Sequence, residues 1–593
     1  MSRMFSMKLK ICKPCSTLSK PLLNRYLGFL LFLFAYTMIM ERFGGLPSVL
    51  TAWRFEIPLL LYLYYYGNLI TRKSRFQFLV AAIPVFLLYG VFDVYHLLLG
   101  RLLRITEVSE LQELFLVMPL KTKGLLFLFL GLPMTGFLLC VQVRRWRPLI
   151  LGALPLLALL AVVVRGPGFF VTAFETTQKY VDPYLMDTLN AGNNGRFSMA
   201  LYYEARRKSS LNKAFAYQGD SSFKRRFNRT VDDVRNLGSK GNVHLIVLES
   251  FIDPNLFRGV HFSRNPVHPS FNALFKGKEG LSVSPVFGGA TPQAEFEVLC
   301  GTPAMRELSG VEFDMFTGEK TLCLPNLLTQ AGYHTIATNA FLPDFFNSTH
   351  AYEGTGFENI YYAREYAPGS ETYLSTGDVT GEKYMFDEGL FTQNAAFVEN
   401  WIRENPHTSL FNYILSIYGH TPHFINTEKR PTVVKMLGKY RDNQLERAAN
   451  QCYYRTKAMA WFVKELIRID PHSMIILVSD HLPPLSYGPG TYRKLKYLGK
   501  SRDVTHMNRI YVVENGQPVR YDTIHHYDIP QIILNYVGGE KYNPHNPASS
   551  DSRSACFDTT GFHEQYMVIM ANAMNDESLF FAHHPGNDRI KIK

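Results

Sequence analysis

The chain has 593 residues, of which 47% are hydrophobic, 14% are aromatic and 19% are charged. This composition excludes a disordered or collagen-like chain and allows large buried cores. Lys and Arg number 62 against 50 Asp and Glu, which gives a formal net charge of +12. Charges are sparse before residue 166, whereas the remainder has the composition of a soluble α/β domain. The sequence therefore predicts two unlike regions.

Five apolar stretches in the first region are predicted to span a membrane. Each approaches the roughly 20 residues that cross the hydrocarbon core of a bilayer once flanking aromatic residues are counted. The second stretch is short and needs flanking residues at the interface. The stretches are 26–40, 57–70, 78–99, 124–143 and 148–164.

Basic residues cluster in alternate loops between these stretches, at 3–25, 72–75 and 144–147. By the positive-inside rule, the N-terminus is cytoplasmic and the region after the fifth span lies outside. The basic excess is thus assigned to membrane topology and lipid headgroups rather than to nucleic acid. The spacings of zinc fingers, RNA-recognition motifs and helix-turn-helix motifs do not occur in the sequence.

Four regions are predicted: a membrane domain at 1–165, a juxtamembrane connector at 166–240, a catalytic domain at 241–550 and a tail at 551–593. Buried strands are expected at 243–248, 411–417 and 474–478, and helices at 324–331, 394–404 and 445–470. Alternating strands and helices predict an α/β sandwich around a mostly parallel sheet. In such sheets ligands bind at the carboxyl ends of the strands.

Acidic and imidazole side chains follow two of these strands. Glu249 and Ser250 come after the first, and Asp480 and His481 come after the last. Two carboxylates and a histidine at one sheet edge suit a divalent cation such as Mn²⁺, Mg²⁺ or Zn²⁺. Each pair alone also fits a helix cap or a turn.

A glycine-rich turn precedes another predicted helix. Gly288 and Gly289 are followed by Thr291 and Pro292. The turn would place the Thr291 hydroxyl at a helix N-terminus, where backbone N–H groups favour an anion such as phosphate. In the alternative interpretation Thr291 is only the N-cap, with Pro292 as the first helical residue.

Four motifs occur in a fixed order along the chain: Glu249 after a strand, Gly288-Gly289-Ala290-Thr291, Glu295-Phe296 and Asp480-His481. This ordered set, behind five predicted spans, resembles the lipoteichoic acid synthase and phosphoglycerol transferase group of the alkaline phosphatase and sulfatase superfamily. The resemblance extends to about residue 550. It implies a sulfatase-like fold on the outer side of a bacterial plasma (inner) membrane.

The resemblance also implies roles for individual residues. Thr291 would be the nucleophile, and Glu249, Thr291, Asp480 and His481 would hold one divalent metal, with Mn²⁺ preferred over Mg²⁺ or Zn²⁺. His420 would stabilise or protonate the leaving oxygen. His423 is the reserve for that role.

The sequence departs from this family where a substrate pocket is expected. The family has a Trp, an Arg and a His where this chain has Phe346, Ser348 and Asn339. A serine cannot replace the bidentate clamp of an arginine, so the transferred group or its binding mode differs. Phe346, His423 and His506 are nevertheless counted as the substrate-binding candidates. Four residues are candidates for compensation: Asp344, His350, Arg364 and His506.

The implied reaction moves a phosphoglycerol group from a phospholipid to an envelope glycan or glycolipid through a phospho-threonine intermediate. Three alternatives stay open: transfer of phosphoethanolamine, hydrolysis, and a non-catalytic envelope scaffold. Sulfatase activity is disfavoured because sulfatases mature a cysteine in C-x-P-x-R, whereas the nearest run, from Cys300 to Arg306, has different spacing.

The cysteines agree with an external catalytic domain. Four of them would face an oxidising compartment, where three pairings are possible. They are Cys300, Cys323, Cys452 and Cys556. Cys12 and Cys15 form a lone C-x-x-C, which is too little for a metal site.

Overall fold

The computed structural model describes residues 19–108, 120–181, 187–219, 221–499, 504–539, 556–557 and 561–574. Helices form at all five apolar stretches. They are α1 (Ser19–Arg42), α2 (Glu56–Ile70), α3 (Gln77–Leu99), α4 (Leu120–Leu126) continuing through a π-helical turn (Phe127–Gly131) into α5 (Leu132–Cys140), and α6 (Trp146–Arg165).

Three helices among the described residues are long and apolar enough to cross a membrane: Gln77–Leu99, Lys123–Cys140 and Trp146–Arg165. The second predicted span is a helix of only 15 residues, as its short apolar stretch indicates. The first coincides with α1, which has 24 residues. The N-terminal region is thus helical and apolar, consistent with a membrane domain.

Backbone hydrogen bonds join the end of α2 to the end of α5, next to the two basic loops at 72–75 and 144–147. Both loops therefore lie at the same end of these helices. The N–H of Arg72 donates to the oxygen of Cys140 at 2.9 Å, and the N–H of Gln142 donates to that of Ile70 at 2.8 Å. At the opposite end, a Cβ on Gly44 would collide with Arg493 of the outer domain. The basic loops and the contacts with the outer domain therefore lie at different ends of the helices.

The segment predicted as a connector folds into four helices: α7 (Pro167–Thr177), α8 (Asp187–Asn194), α9 (Arg196–Ala214) and α10 (Ser222–Arg235). The N-terminus of α9 meets the buried Glu56 carboxylate, which accepts hydrogen bonds from the N–H groups of Arg196, Phe197 and Ser198. This arrangement satisfies N–H groups that have no partner within the helix. Acidic charge near a helix N-terminus is also favourable.

A nine-stranded sheet forms the centre of the outer domain. Its order is β11-β3-β9-β8-β1-β6-β4-β5, with β10 paired to β9. Strands β8, β1, β6, β4 and β5 run parallel, and β9 is antiparallel to β8 and β3. The strands are β1 (Val243–Leu248), β3 (Gly280–Val283), β4 (His334–Asn339), β5 (Asn359–Tyr362), β6 (Leu410–Leu415), β8 (Met474–Ser479), β9 (Met507–Glu514), β10 (Gln517–Val519) and β11 (Thr523–His525), while β2 (His261–Phe262) pairs with β7 (Met436–Leu437) separately.

Helices cover both faces of this sheet. Every residue of β1, β6 and β8 is buried, as expected for parallel strands between two helical layers. The predicted fold class is thereby confirmed. The helices are α11 (Pro269–Phe275), α12 (Thr291–Cys300), α13 (Leu324–Gln330), α14 (Ser348–Thr355), α15 (Asp387–Glu404), α16 (Asn443–Ile469), α17 (Pro489–Lys494) and α18 (Ile529–Val537).

Part of the segment predicted as a tail belongs to the core. Helix α19 (Phe562–Ala573) is largely buried, and the Tyr566 ring contacts that of Phe296 with centroids 6.0 Å apart. Phe557 packs so closely on Gly301 that a Cβ there would lie 2.5 Å from its ring. The histidine pair His583-His584 of the same segment lies outside the described residues.

One disulfide joins two of the four cysteines that were predicted to be external. It links Cys300, at the end of α12, to Cys323, directly before α13. Cys452 and Cys556 are buried free thiols. The 551–593 boundary and the membrane topology remain predictions.

Candidate active site

The ends of β1 and β8 bring the predicted metal ligands together. These strands are parallel neighbours with Leu248 opposite Ser479, so the residues directly after them emerge at the same edge of the sheet. One ligand atom from each of Glu249, Asp480 and His481 lies within 4.8 Å of the others, and all three residues are buried. The structure therefore assembles the cluster predicted from the strand ends.

Thr291 completes this cluster. Its Oγ1 lies 2.8 Å from Asp480 Oδ2, 3.0 Å from Glu249 Oε2 and 3.4 Å from His481 Nε2. Thr291 is the first residue of α12, and the cap is Ala290 in a left-handed conformation with φ 63°. The N-cap alternative for Thr291 is therefore wrong, because its side chain faces the two carboxylates.

Burial shifts the pKa values of the residues in the cluster. It raises the pKa of Glu249, with a further contribution from the nearby Asp480, and raises the pKa of Asp480 to about 7. It also lowers the pKa of His481. Two close carboxylates in a buried site repel one another when both are ionised, which a divalent cation between them would relieve. The donor set of carboxylate, imidazole and hydroxyl groups thus fits such a cation.

A second layer of side chains positions Glu249. Arg455 Nη1 donates to the Glu249 backbone oxygen at 2.9 Å, and Nη2 donates to Ser416 Oγ at 3.1 Å. Ser416 Oγ in turn accepts a hydrogen bond from the Glu249 N–H at 3.2 Å. Asp387 pairs with Arg455 Nε at 2.6 Å. Neither Arg455 nor Asp387 belongs to a motif, so neither was identified from the sequence.

The two histidines of the loop after β6 occupy different positions. His420 is partly exposed, and its Nδ1 lies 3.3 Å from the Tyr384 hydroxyl. Its charge opposes the rise in the pKa of Glu249 that burial causes. His423 is buried, bonds Gln451 through Nδ1 at 3.1 Å, and has its pKa lowered to about 4 by burial. Of the two, His420 has the more accessible position.

The residues at the family's expected substrate pocket are engaged in local structure. Asn339 Nδ2 donates to the Tyr352 hydroxyl at 3.2 Å, and the Ser348 hydroxyl donates to the Pro343 oxygen at 2.8 Å. Phe346 has φ 51° and contacts the ring of Phe345 at 4.7 Å. The substrate-binding role of Phe346 stays a prediction.

Two of the four candidates for compensation, His350 and His506, have hydrogen-bond partners within the protein. His350 Nδ1 lies 2.8 Å from Asn347 Oδ1 on an exposed surface. His506 Nδ1 lies 2.9 Å from the Ser284 backbone oxygen, and the Ser284 hydroxyl donates to the Asp480 backbone oxygen. His506 therefore contacts a support of Asp480, and its predicted role toward substrate stays untested.

The sulfatase family model matches residues 241–539, which are about half of the chain and include every strand of the nine-stranded sheet. The chain belongs to the sulfatase family. The motif set therefore identified the correct superfamily. Among curated proteins, this sulfatase-family chain is 25% identical over 256 residues to a putative cyclic beta-1,2-glucan modification protein of Rhizobium meliloti (strain 1021). That match covers 42% of this chain and only 36% of the relative, about a third of its length.

Solved structures of low sequence identity match part of this chain. A phosphoglycerol transferase, GacH, of Streptococcus pyogenes is 16% identical, with 61% of this chain and 92% of that chain covered at a TM-score of 0.44. Lipoteichoic acid synthase LtaP of Listeria monocytogenes is 19% identical, with 52% and 77% covered at 0.40. The periplasmic domain of EptC from Escherichia coli is 12% identical, with 51% and 83% covered at 0.34.

Proposed function

We propose that this protein is a membrane phosphotransferase that moves a phosphoglycerol group from a phospholipid to a cell-envelope glycan or glycolipid. The observation that carries the proposal is the Thr291 hydroxyl, held at a helix N-terminus within 3.0 Å of two buried carboxylates. A helix N-terminus favours an incoming phosphate. A hydroxyl placed there is suited to in-line attack on phosphorus.

The proposed reaction has two steps. Thr291 Oγ1 forms a bond to phosphorus while the bond to the diacylglycerol oxygen breaks, which leaves a phospho-threonine. Asp480 and Glu249 lie within hydrogen-bond reach of the hydroxyl proton, and we assign protonation of the leaving oxygen to His420. In the second step the oxygen of an acceptor hydroxyl forms a bond to phosphorus while the bond to Thr291 Oγ1 breaks, and the proton that the acceptor loses restores the Thr291 hydroxyl.

Glu249, Asp480, His481 and Thr291 would hold one divalent cation, Mn²⁺ in first place with Mg²⁺ or Zn²⁺ as alternatives. When bound, it would favour ionisation of the threonine hydroxyl and offset negative charge on the phosphoryl oxygens.

Sulfatase activity fits this chain less well, although the family carries that name. The cysteine nearest to a sulfatase-type motif, Cys300, is bonded to Cys323, so its thiol is not available for oxidation to the sulfatase nucleophile. Thr291 occupies the position between the carboxylates instead. A scaffold would have no need for a nucleophile beside a metal site, and this disfavours the non-catalytic alternative.

The proposed location is the bacterial plasma membrane, with the N-terminus cytoplasmic and the catalytic domain outside. The positions of the loops support this orientation, because the basic loops lie at one end of the helices and the outer domain contacts the other end. Positive loops remain on the cytoplasmic side.

The proposal is tested with purified full-length protein and phospholipids labelled in either the glycerol or the ethanolamine headgroup. We expect release of diacylglycerol in Mn²⁺ and a covalent adduct on Thr291 in the intact mass. A glycerol-labelled adduct supports the proposal, and an ethanolamine-labelled one selects the alternative headgroup. Absence of both adduct and diacylglycerol in the presence of metal would refute the transferase.

Metal binding is tested separately by Asp480→Ala. This variant is expected to lose metal by elemental analysis, since Asp480 supplies one of three buried ligand groups. Metal content equal to that of wild type would refute the assignment.

A further inference from the structure

The C-terminal end of α3, which is followed by the loop at 100–108, packs directly against the turn that leads to Thr291. A Cβ on Gly288, which has φ 77°, would lie 3.3 Å from Leu99 Cδ2, and one on Gly488 would collide with the Leu97 backbone oxygen. A glycine is required at such close approaches. The end of a candidate membrane span therefore forms one wall beside the turn before the proposed nucleophile.

Arg101, in this loop, makes a direct contact with the nucleophile helix. Its Nη1 donates to Gln293 Oε1 at 3.1 Å, and its Nε donates to the Tyr95 hydroxyl at 3.1 Å. Gln293 lies two residues after Thr291 and is fully buried. Its Nε2 donates to the Gly310 oxygen at 2.8 Å. The Gln293 side chain therefore connects the first turn of α12 both to the loop after α3 and to the chain at Gly310.

Four further residues fix the position of the loop. Arg104 Nη1 donates to the Arg306 backbone oxygen at 2.7 Å, and its Nη2 pairs with Asp187 at 3.1 Å. The Arg306 side chain pairs with Glu107 and with Asp187. All of these side chains are at least 87% buried. Buried, hydrogen-bonded charge pairs restrict the docking geometry, because breaking one leaves an uncompensated charge.

We propose that Arg101 is a positioning residue for the nucleophile: acting through Gln293, it holds the first turn of α12 so that Thr291 stays against Glu249 and Asp480. The first turn needs such support, because its cap residue Ala290 has no side chain that could bond the helix N–H groups. The inference rests on the proposed function. The active site is then complete only when the membrane domain is docked.

Arg101 is a positive group directly beside the helix that begins with Thr291. A positive group near a site for phosphate esters would also favour their binding. The positioning role through Gln293 is the one that the hydrogen bonds support.

The kinetic test compares Arg101→Gln and Arg101→Lys in the full-length protein. A displacement of about 1 Å at a reacting group costs roughly 100-fold in rate. We therefore expect Arg101→Gln to lower kcat between tenfold and 100-fold on phospholipid and on soluble bis(p-nitrophenyl) phosphate, with KM changed less than threefold. Arg101→Lys should recover part of the loss. The control is Arg54→Gln, an exposed arginine that bonds the Thr177 oxygen and should leave kcat unchanged.

A double-mutant cycle with Gln293→Met tests the route of the effect. If Arg101 acts through Gln293, Arg101→Gln should change kcat less than twofold in the Gln293→Met background. A full additional loss there would overturn the inference. So would a rise in lipid KM with unchanged kcat on the soluble substrate, which would make Arg101 a lipid-binding residue.

A third measurement does not depend on activity. In the full-length protein in detergent, Arg101→Gln should raise deuterium uptake in the peptide that covers the first turn of α12, whereas Arg54→Gln should not. Unchanged uptake would overturn the inference even for a protein that proves inactive on lipids. Increased uptake without any lipid turnover would instead retain the positioning role and refute the proposed function.

Discussion

Arg455 donates a hydrogen bond of 2.9 Å to the backbone oxygen of Glu249, which lies 206 residues earlier in the chain. Arg455 is buried in the middle of α16, and Asp387 at the start of α15 balances its charge. A Cβ on Gly419 would collide with both the Glu249 oxygen and Arg455. The carboxylate at the end of β1 is thus oriented by two helices and a loop rather than by its own strand alone.

The first prediction concerns this contact. Arg455→Lys should lower the affinity for Mn²⁺ by about tenfold or more, because loss of an outer-shell partner typically costs 10- to 100-fold in metal affinity. Isothermal titration of the metal-stripped protein measures the change. Arg468→Lys, an exposed substitution on the same helix, is the control. Equal affinities for both variants would contradict the positioning of Glu249 by Arg455.

The second prediction concerns the nucleophile. Thr291→Ala should lower turnover by at least about 1,000-fold and abolish the covalent adduct, since losses of this size follow removal of a nucleophile. Thr291→Ser should retain both in part because it keeps the hydroxyl. Thr176→Ala, at an exposed position of α7, should behave as wild type. Full turnover by Thr291→Ala would mean that another group attacks phosphorus.

The third prediction concerns Glu295, one turn after Thr291. It accepts hydrogen bonds from the hydroxyls of Tyr352 at 2.6 Å and Tyr413 at 2.7 Å, and burial raises its pKa to about 7. Between pH 4.5 and 7 the folded state therefore holds a proton that the unfolded state has released. The contribution to stability is present at low pH and is lost as pH rises through 7.

Glu295→Gln keeps the polar shape and removes this titration. In Mn²⁺-saturated protein, thermal unfolding should show a smaller loss of stability between pH 5 and pH 7.5 for Glu295→Gln than for wild type. Glu388→Gln, at an exposed position, should leave the wild-type pH dependence in place. If Glu295→Gln and wild type lose the same stability over this range, Glu295 does not titrate as stated.

The fourth prediction concerns the disulfide between Cys300 and Cys323, which are 23 residues apart. Closing a loop of this length stabilises a folded domain by about 3 kcal/mol. The double variant Cys300→Ala and Cys323→Ala should therefore have a lower Tm, measured by calorimetry in detergent. Cys140→Ala, which removes a free thiol of α5, is the control. An unchanged Tm in the double variant would show that the bond does not contribute to stability.

Local patterns determined the elements that carry the chemistry. Strands β1 and β8 are continuous apolar runs, and a parallel sheet brings the residues at their carboxyl ends to one edge, so Glu249, Asp480 and His481 were predictable as one group. Thr291 was found from its glycine-rich turn for the same reason, since the turn has a local signature. The helix boundaries were less accurate: α15 begins at Asp387, seven residues before the predicted start at 394.

By itself the sequence determined the apolar helices of the N-terminal region, the sulfatase-like sheet and the four residues of the cluster, because hydrophobic period and motif order are local properties. Only the tertiary structure decided that Arg455 supports Glu249, that α19 joins the core, and that Arg101 reaches Gln293 across 192 residues. Such contacts depend on how distant elements pack, and a side chain in a helix or loop carries no local signal of its partner. The same distinction applies to the basic residues. The basic loops were predicted from the sequence, whereas the proposed role of Arg101 beside the active site depends on a contact that only the fold creates.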